Sequence, residues 1–129
     1  SFLIEGAEEL CRYLSERYRL AVITNGIKKV QVSRIGNSTI KQYLSALIIS
    51  EEAKSSKPNG GIFDYACRIL SFHDKKKMII VGDSLSSDIK GGIDYGIDTC
   101  WANLALRKNE SGLVPTYEIR SLLELRTIL

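Results

Sequence analysis

The chain has 129 residues, a formal net charge of +3, 44% hydrophobic and 26% charged residues, which is the profile of a single soluble globular domain spanning residues 1–129. Its Lys and Arg residues are scattered, and the one basic run, Lys75-Lys76-Lys77, reads as a solvated loop, so nothing argues for nucleic acid as a partner. No apolar run approaches ~18 residues and no basic-plus-apolar leader is visible, which excludes a membrane span and a secretory signal from the expectations. Taken in order, 2–18 reads as an amphipathic helix, with Ala7, Leu10, Cys11 and Leu14 on one face and Glu8, Glu9, Arg12 and Glu16 turned away. A short apolar strand over 20–23 ends in Thr24-Asn25-Gly26. A helix is expected over about 28–34 with Gly36-Asn37-Ser38 as its stop, then one helical turn over 40–44, and a strand over 47–49. Residues 50–61 form a long loop with room for a turn of helix, and Ile62, Phe63, Ala66, Ile69 and Leu70 mark the apolar face of the next helix. A strand over 78–81 leads to a helix over about 86–95, stopped by Gly96. Strand 99–102, a polar loop over 103–115, a short strand over 116–119 and a closing helix carrying Leu122, Leu123, Leu125 and Ile128 complete the chain.

This alternation of helix and strand implies an α/β fold, a Rossmann-like doubly wound parallel sheet with helices on both faces. The three cysteines, Cys11, Cys67 and Cys100, are far apart and show no zinc or redox spacing. Reduced thiols in a cytoplasmic protein are the simplest account of them.

The run Met78-Ile-Ile-Val-Gly82-Asp83 organises the rest. Four apolar residues read as a strand buried on both faces, Gly82 allows a tight turn, and Asp83 stands just past the carboxyl end of the strand. In open α/β sheets ligands bind at that edge, and an acid there is well suited to a hard cation such as Mg²⁺. Asp83 or Ser84 reads equally well as a helix cap.

Two more polar sites follow separate strands: Thr24 and Asn25 after the first, Lys57 in the loop after the second, with Asp88 five positions beyond Asp83. Alone, Thr24-Asn25-Gly26 is a turn and cap, Lys57 is loop surface, and Asp88 is either solvated or paired with Lys57. Parallel strands bring all of them to one edge of the sheet, where hydroxyl, backbone N–H and ammonium donors suit a phosphate. A carboxylate beside those donors makes sense with a cation between it and the phosphate.

The residues Ile23-Thr24-Asn25-Gly26, Lys57-Pro58 and Gly82-Asp83-Ser84 with Asp88 resemble motifs two, three and four of the haloacid dehalogenase-like hydrolases. Ile49-Ser50-Glu51-Glu52, Lys57-Pro58-Asn59 with 62–66, Asp88-Ile89 with Gly91-Gly92-Ile93, and Thr99-Cys100-Trp101 resemble its pyrimidine nucleotidase branch. The resemblance runs from Gly6 to Leu125. It implies a Mg²⁺-dependent phosphomonoesterase for small phosphate esters such as nucleoside monophosphates. Thr24 and Asn25 would hold phosphoryl oxygens, Lys57 would balance charge in catalysis, Asp83 would ligate Mg²⁺, and Asp88 would orient Lys57 or a metal-bound water. Lys54 departs from the resemblance, because relatives usually carry Gly in this loop, and a different loop path is expected here. A metal-independent haloacid dehalogenase and a non-catalytic phosphate- and metal-binding remnant are the alternatives.

The family's first motif, Asp-x-Asp, supplies the nucleophile and the general acid-base, and no Asp-x-Asp occurs in these 129 residues. The chain is therefore expected to represent the carboxyl-terminal part of the enzyme, without the cap domain and inactive alone. The family's first strand lies centrally, between the strands predicted at 20–23 and 78–81. Its absence would leave a gap of about 10 Å with two bare edges. Those edges are expected to pair with each other, with another copy, or with an amino-terminal fragment.

Overall fold

The computed structural model describes residues 6–26 and 39–129. The helix expected over 28–34 and its stop at 36–38 lie outside them.

Helix α1 (Ala7–Ser15) buries Leu10 and Leu14 and exposes Glu8 and Glu9, as the apolar spacing requires. The two acids sit in its first turn, where the helix dipole favours negative charge. Strand β1 (Ala21–Thr24) pairs in parallel with β2 (Ala46–Ile49), with Thr24 opposite Ile49. A 3₁₀ turn over Lys41–Tyr43 precedes β2, and the one-turn helix α2 (Ser50–Ala53) follows it.

The loop after α2 turns at the residue that departs from the family resemblance. Lys54 ends the helix at φ 55 and ψ 32, the left-handed conformation that glycine adopts without strain. The side chain differs from the expected Gly, but the backbone takes the turn a glycine would take.

Helix α3 (Gly60–Leu70) buries Ile62, Phe63, Ala66 and Cys67. Ile69 was expected inside and is 53% exposed. It lies at the margin of the apolar stripe, whose centre runs through Ala66, and Cys67 takes the inner position instead.

Strand β3 (Ile79–Gly82) pairs in parallel with β4 (Asp98–Ala102), and β4 with β5 (Tyr117–Ile119). Between β3 and β4 the chain begins with a π-type turn over Leu85–Ile89 and continues into α4 (Lys90–Tyr95). Gly96 closes α4 at φ 88. A Cβ on Gly92 would stand 2.6 Å from methyls of Ile80 and Thr99, so α4 lies too close to the sheet for any side chain there. A 3₁₀ turn over Leu122–Glu124, fixed by a capping box between Ser121 and Glu124, leads into α5 (Leu125–Ile128).

One core joins Leu10 and Leu14 of α1 to Cys100, Ile119 and Leu125; the other joins Ile62, Phe63 and Ala66 of α3 to Ile48. Helices thus cover both faces of a parallel sheet, and the fold is the Rossmann-like core expected from the alternation.

The sheet is divided. Strands β1 and β2 form one piece, and β3, β4 and β5 form another. Of the three pairings expected for the inner edges, pairing with each other is not found: among the described strands β1 pairs only with β2, and β3 only with β4. The two pieces are joined through side chains instead, since Ile23 and Ile80 both pack on the core of α3. Cys67 and Cys100 are buried and all three cysteines are free thiols. No helix among the described residues is long and apolar enough to cross a membrane.

Candidate active site

The polar residues singled out by sequence stand at the carboxyl ends of β1 and β3 and in the loop after β2. Lys57 is their centre. Its Nζ donates to the Ile23 carbonyl at 3.0 Å and lies 2.5 Å from Asp88 Oδ1. These contacts span the division in the sheet, because Ile23 belongs to β1 and Asp88 to the turn after β3. An ammonium has three donors, and the two contacts leave one N–H for a ligand. The side chains of Lys57 and Asp88 are 12% and 8% exposed. A charge pair this buried is held in one geometry by its surroundings, and it presents a fixed positive group rather than a base.

Both carboxylate oxygens of Asp88 are engaged. Its Oδ2 accepts the Ser84 N–H at 3.2 Å, while Oδ1 holds Lys57. Of its two expected roles, orienting Lys57 is the one its contacts serve. Gly82 makes room for it: a Cβ there would come within 2.1 Å of Asp88 Oδ2. The glycine that ends β3 is therefore a seat for a carboxylate as well as a turn residue.

The Asn25 side chain is also committed. Its Oδ1 accepts the Lys57 N–H at 2.9 Å and its Nδ2 donates to the Lys57 carbonyl at 3.1 Å. This pair of hydrogen bonds clamps the main chain of Lys57. Thr24 is half-buried at the end of β1, and among the described residues its hydroxyl makes a long 3.4 Å contact to the Asn25 carbonyl. The Ser50 hydroxyl accepts the Gly26 N–H at 2.9 Å and so ties the loop after β1 to the start of α2.

Asp83 is exposed, and its carboxylate has no partner among the described residues. The capping alternative falls on its neighbour, since Ser84 Oγ accepts the Ser87 N–H at 3.2 Å. The Asp83 carbonyl accepts Nε1–H of Trp101 at 3.0 Å. Trp101 is 3% exposed and sits opposite Gly82 in the β3–β4 register, so it anchors the main chain that carries Asp83. An open cavity of about 780 Å³ takes in Asp83, Ser84, Lys90, Trp101, Arg107 and Lys108.

An unpaired carboxylate at this edge is a hard oxygen donor of the kind Mg²⁺ accepts. Among the described residues no three acidic, His or Cys side chains gather around one point. Mg²⁺ commonly binds through one or two carboxylates completed by water and phosphate, so Asp83 fits as one ligand of such a site.

Sequence reasoning brought Thr24, Asn25, Lys57, Asp83 and Asp88 to one edge, and the structure gathers them there. Sequence reasoning singled out Ser50 and Trp101 within the quoted motifs without giving either a role, and it did not foresee the Gly82–Asp88 contact. Trp101 had a signal, as a large apolar residue with one polar atom in a strand beside β3.

The family model of haloacid dehalogenase-like hydrolases matches residues 2–102. Pyrimidine 5'-nucleotidase YjjG of Escherichia coli is 37% identical over 126 residues, covering 98% of this chain and 56% of that protein. Human N-acylneuraminate-9-phosphatase is 32% identical over 129 residues, covering 98% of this chain and 52% of its own length. The magnesium-bound crystal structure of the HAD-hydrolase YfnB from Bacillus subtilis superposes with a TM-score of 0.94 at 37% identity, covering 98% of this chain and 56% of that one. The chain thus spans about half the length of the relatives it matches.

Proposed function

Because this chain belongs to the haloacid dehalogenase-like hydrolases, we propose that it forms part of a Mg²⁺-dependent phosphomonoesterase acting on a small phosphate ester, with nucleoside monophosphates the first class to examine. The observation that carries this reading is the Lys57 ammonium, fixed by Ile23 and Asp88 at the shared strand edge with one N–H to spare. A fixed cation with a directed donor suits a phosphoryl group whose negative charge is redistributed during transfer.

In this reading Thr24 donates its hydroxyl to a phosphoryl oxygen and the Asn25 backbone N–H helps. Lys57 donates to a phosphoryl oxygen and balances charge. Asp88 positions Lys57. Asp83 holds Mg²⁺, which when bound would neutralise phosphoryl charge. By resemblance to the family, an aspartate attacks phosphorus and the ester P–O bond breaks. The alcohol leaves with a proton from the second aspartate of the Asp-x-Asp motif, and water then hydrolyses the aspartyl-phosphate to free phosphate and restores the aspartate. The required Asp-x-Asp is absent from these 129 residues. We therefore expect this chain to be inactive alone, and the site to be completed by a strand carrying Asp-x-Asp that enters between β1 and β3 from an amino-terminal segment.

The test is phosphate release by the full-length protein from nucleoside monophosphates, with Mg²⁺ and after chelation. Release that stops on chelation and returns with Mg²⁺ supports the reading. Halide release from 2-haloacids that survives chelation contradicts it and favours the dehalogenase alternative.

A further inference from the structure

The cavity beside Asp83 has a wall that this chemistry does not use, the loop joining β4 to β5. Two asparagines fix its shape. Asn103 is 5% exposed; its Oδ1 accepts the Arg107 N–H at 2.8 Å, and its Nδ2 donates to the Arg107 carbonyl at 2.8 Å and to Glu118 Oε2 at 2.9 Å. Asn109 donates to the Leu113 carbonyl at 2.8 Å and accepts the Ser111 N–H at 3.0 Å. Leu106 completes the first turn in a left-handed conformation, φ 55, which a non-glycine residue adopts only when its surroundings hold it there.

Arg107 and Lys108 stand between these two clamps. Both are exposed, both line the cavity, and neither side chain has a hydrogen bond, ion pair or ring contact with any described residue. Lys90 also lines the cavity but is paired with Asp94 at 2.9 Å. A clamped loop thus presents two uncommitted cations to the space around Asp83. That cavity includes neither Thr24 nor Lys57. Of the residues assigned to the transferred phosphoryl group only Asp83 lines this cavity, so Asp83 stands between that group's other contacts and the two cations, which would reach the ester beyond the phosphoryl group rather than around it.

We infer that Arg107, assisted by Lys108, binds a second anionic group on the organic part of the substrate, a carboxylate or a further phosphate. The inference rests on the phosphoesterase reading and narrows its substrate class. A guanidinium offers paired N–H donors to the planar or tetrahedral oxygens of such a group, and charge-assisted bonds of this kind discriminate strongly against a neutral analogue. Nucleoside monophosphates, with an uncharged nucleoside, would then be poorer ligands than phosphorylated acids or bisphosphates.

The test is calorimetric titration of the full-length protein with Mg²⁺ chelated, so that binding is read without turnover. One ligand pair is 3-phosphoglycerate against glycerol 3-phosphate, which differ by a carboxylate. The other is glucose 1,6-bisphosphate against glucose 6-phosphate, which differ by a phosphate, so the two pairs separate the two sources of charge. We expect the more anionic member of at least one pair to bind roughly ten- to a hundredfold tighter. The double variant Arg107→Gln/Lys108→Gln should collapse that ratio toward one. Lys76→Gln, which removes a charge at the other end of β3, should leave the ratio intact. Equal binding within both pairs, no binding of any ligand, or a ratio that survives in the double variant overturns the inference. Phosphate release with Mg²⁺ is measured separately: selective binding without any phosphate release would refute the phosphoesterase reading while the anion site stands.

Discussion

Lys57 Nζ and Asp88 Oδ1 lie 2.5 Å apart and together bridge the two pieces of the parallel sheet. Lys57 comes from the loop after β2 and Asp88 from the turn after β3. The pair therefore fixes how the edge that carries Thr24 and Asn25 in one piece faces the carboxylates of the other. Replacing Asp88 by Asn keeps the shape and can keep the Ser84 contact, but it strands a buried ammonium. The expected loss is about 3 kcal/mol of folding stability, read by urea denaturation, together with a large fall in turnover of the complete enzyme. A variant as stable as the parent would show that the pair contributes nothing to holding the site.

Gly82→Ala reaches the same pair from the other side. The new methyl would stand 2.1 Å from Asp88 Oδ2, so the carboxylate must leave its seat. The two changes share one target, and Gly82→Ala combined with Asp88→Asn should cost at least ~1 kcal/mol less than the sum of the single losses. Strict additivity would mean that the glycine acts through its backbone alone.

Lys54 occupies a left-handed position, φ 55, where a Cβ is strained. Lys54→Gly should stabilise the protein by about 1 kcal/mol, the strain relieved less the added freedom of the unfolded chain. A thermal melt reads this as a rise in Tm of about 4 °C, and a lower Tm would argue against strain at this turn.

The Cys100 thiol is wholly buried, and its pKa is pushed up from 9.0 to about 11, first by burial and then by the nearby Glu124 carboxylate. The folded state therefore holds this proton more tightly than the unfolded chain. Its contribution to stability is complete below the unfolded value of 9.0 and is lost as pH rises through about 11. The stability difference between the parent and Cys100→Ala, followed by denaturation from pH 8 to about 11, should shrink as pH rises. A constant difference would exclude this titration.

The alternation of elements was legible because the strands are short, apolar and parallel, and the helices show clean 3.6-residue spacing. Met78 to Gly82 announced both a buried strand and the position of Asp83. Convergence of Thr24, Lys57 and Asp88 followed from topology alone. Contacts that depend on register or on side-chain direction were not legible. Trp101 reaches the Asp83 carbonyl only because it stands opposite Gly82 in the β3–β4 ladder. Asn25 was expected to hold a phosphoryl oxygen through its backbone N–H or its side chain, and nothing in the sequence signalled that its carboxamide also clamps the Lys57 backbone. Ile69 has the right spacing for the core but sits at the rim of its helix face. The clamps at Asn103 and Asn109 come from polar residues in a loop, where local sequence gives no periodic signal.

The central claim is that Asp83 carries the metal for phosphoryl transfer at the edge organised by Lys57. It is tested most directly by measuring phosphate release against Mg²⁺ concentration for the full-length protein and its Asp83→Ala variant. The account predicts saturable Mg²⁺-dependent turnover in the parent and a loss of at least about a hundredfold in the variant. Turnover in Asp83→Ala equal to that of the parent, with the same Mg²⁺ dependence, would contradict it.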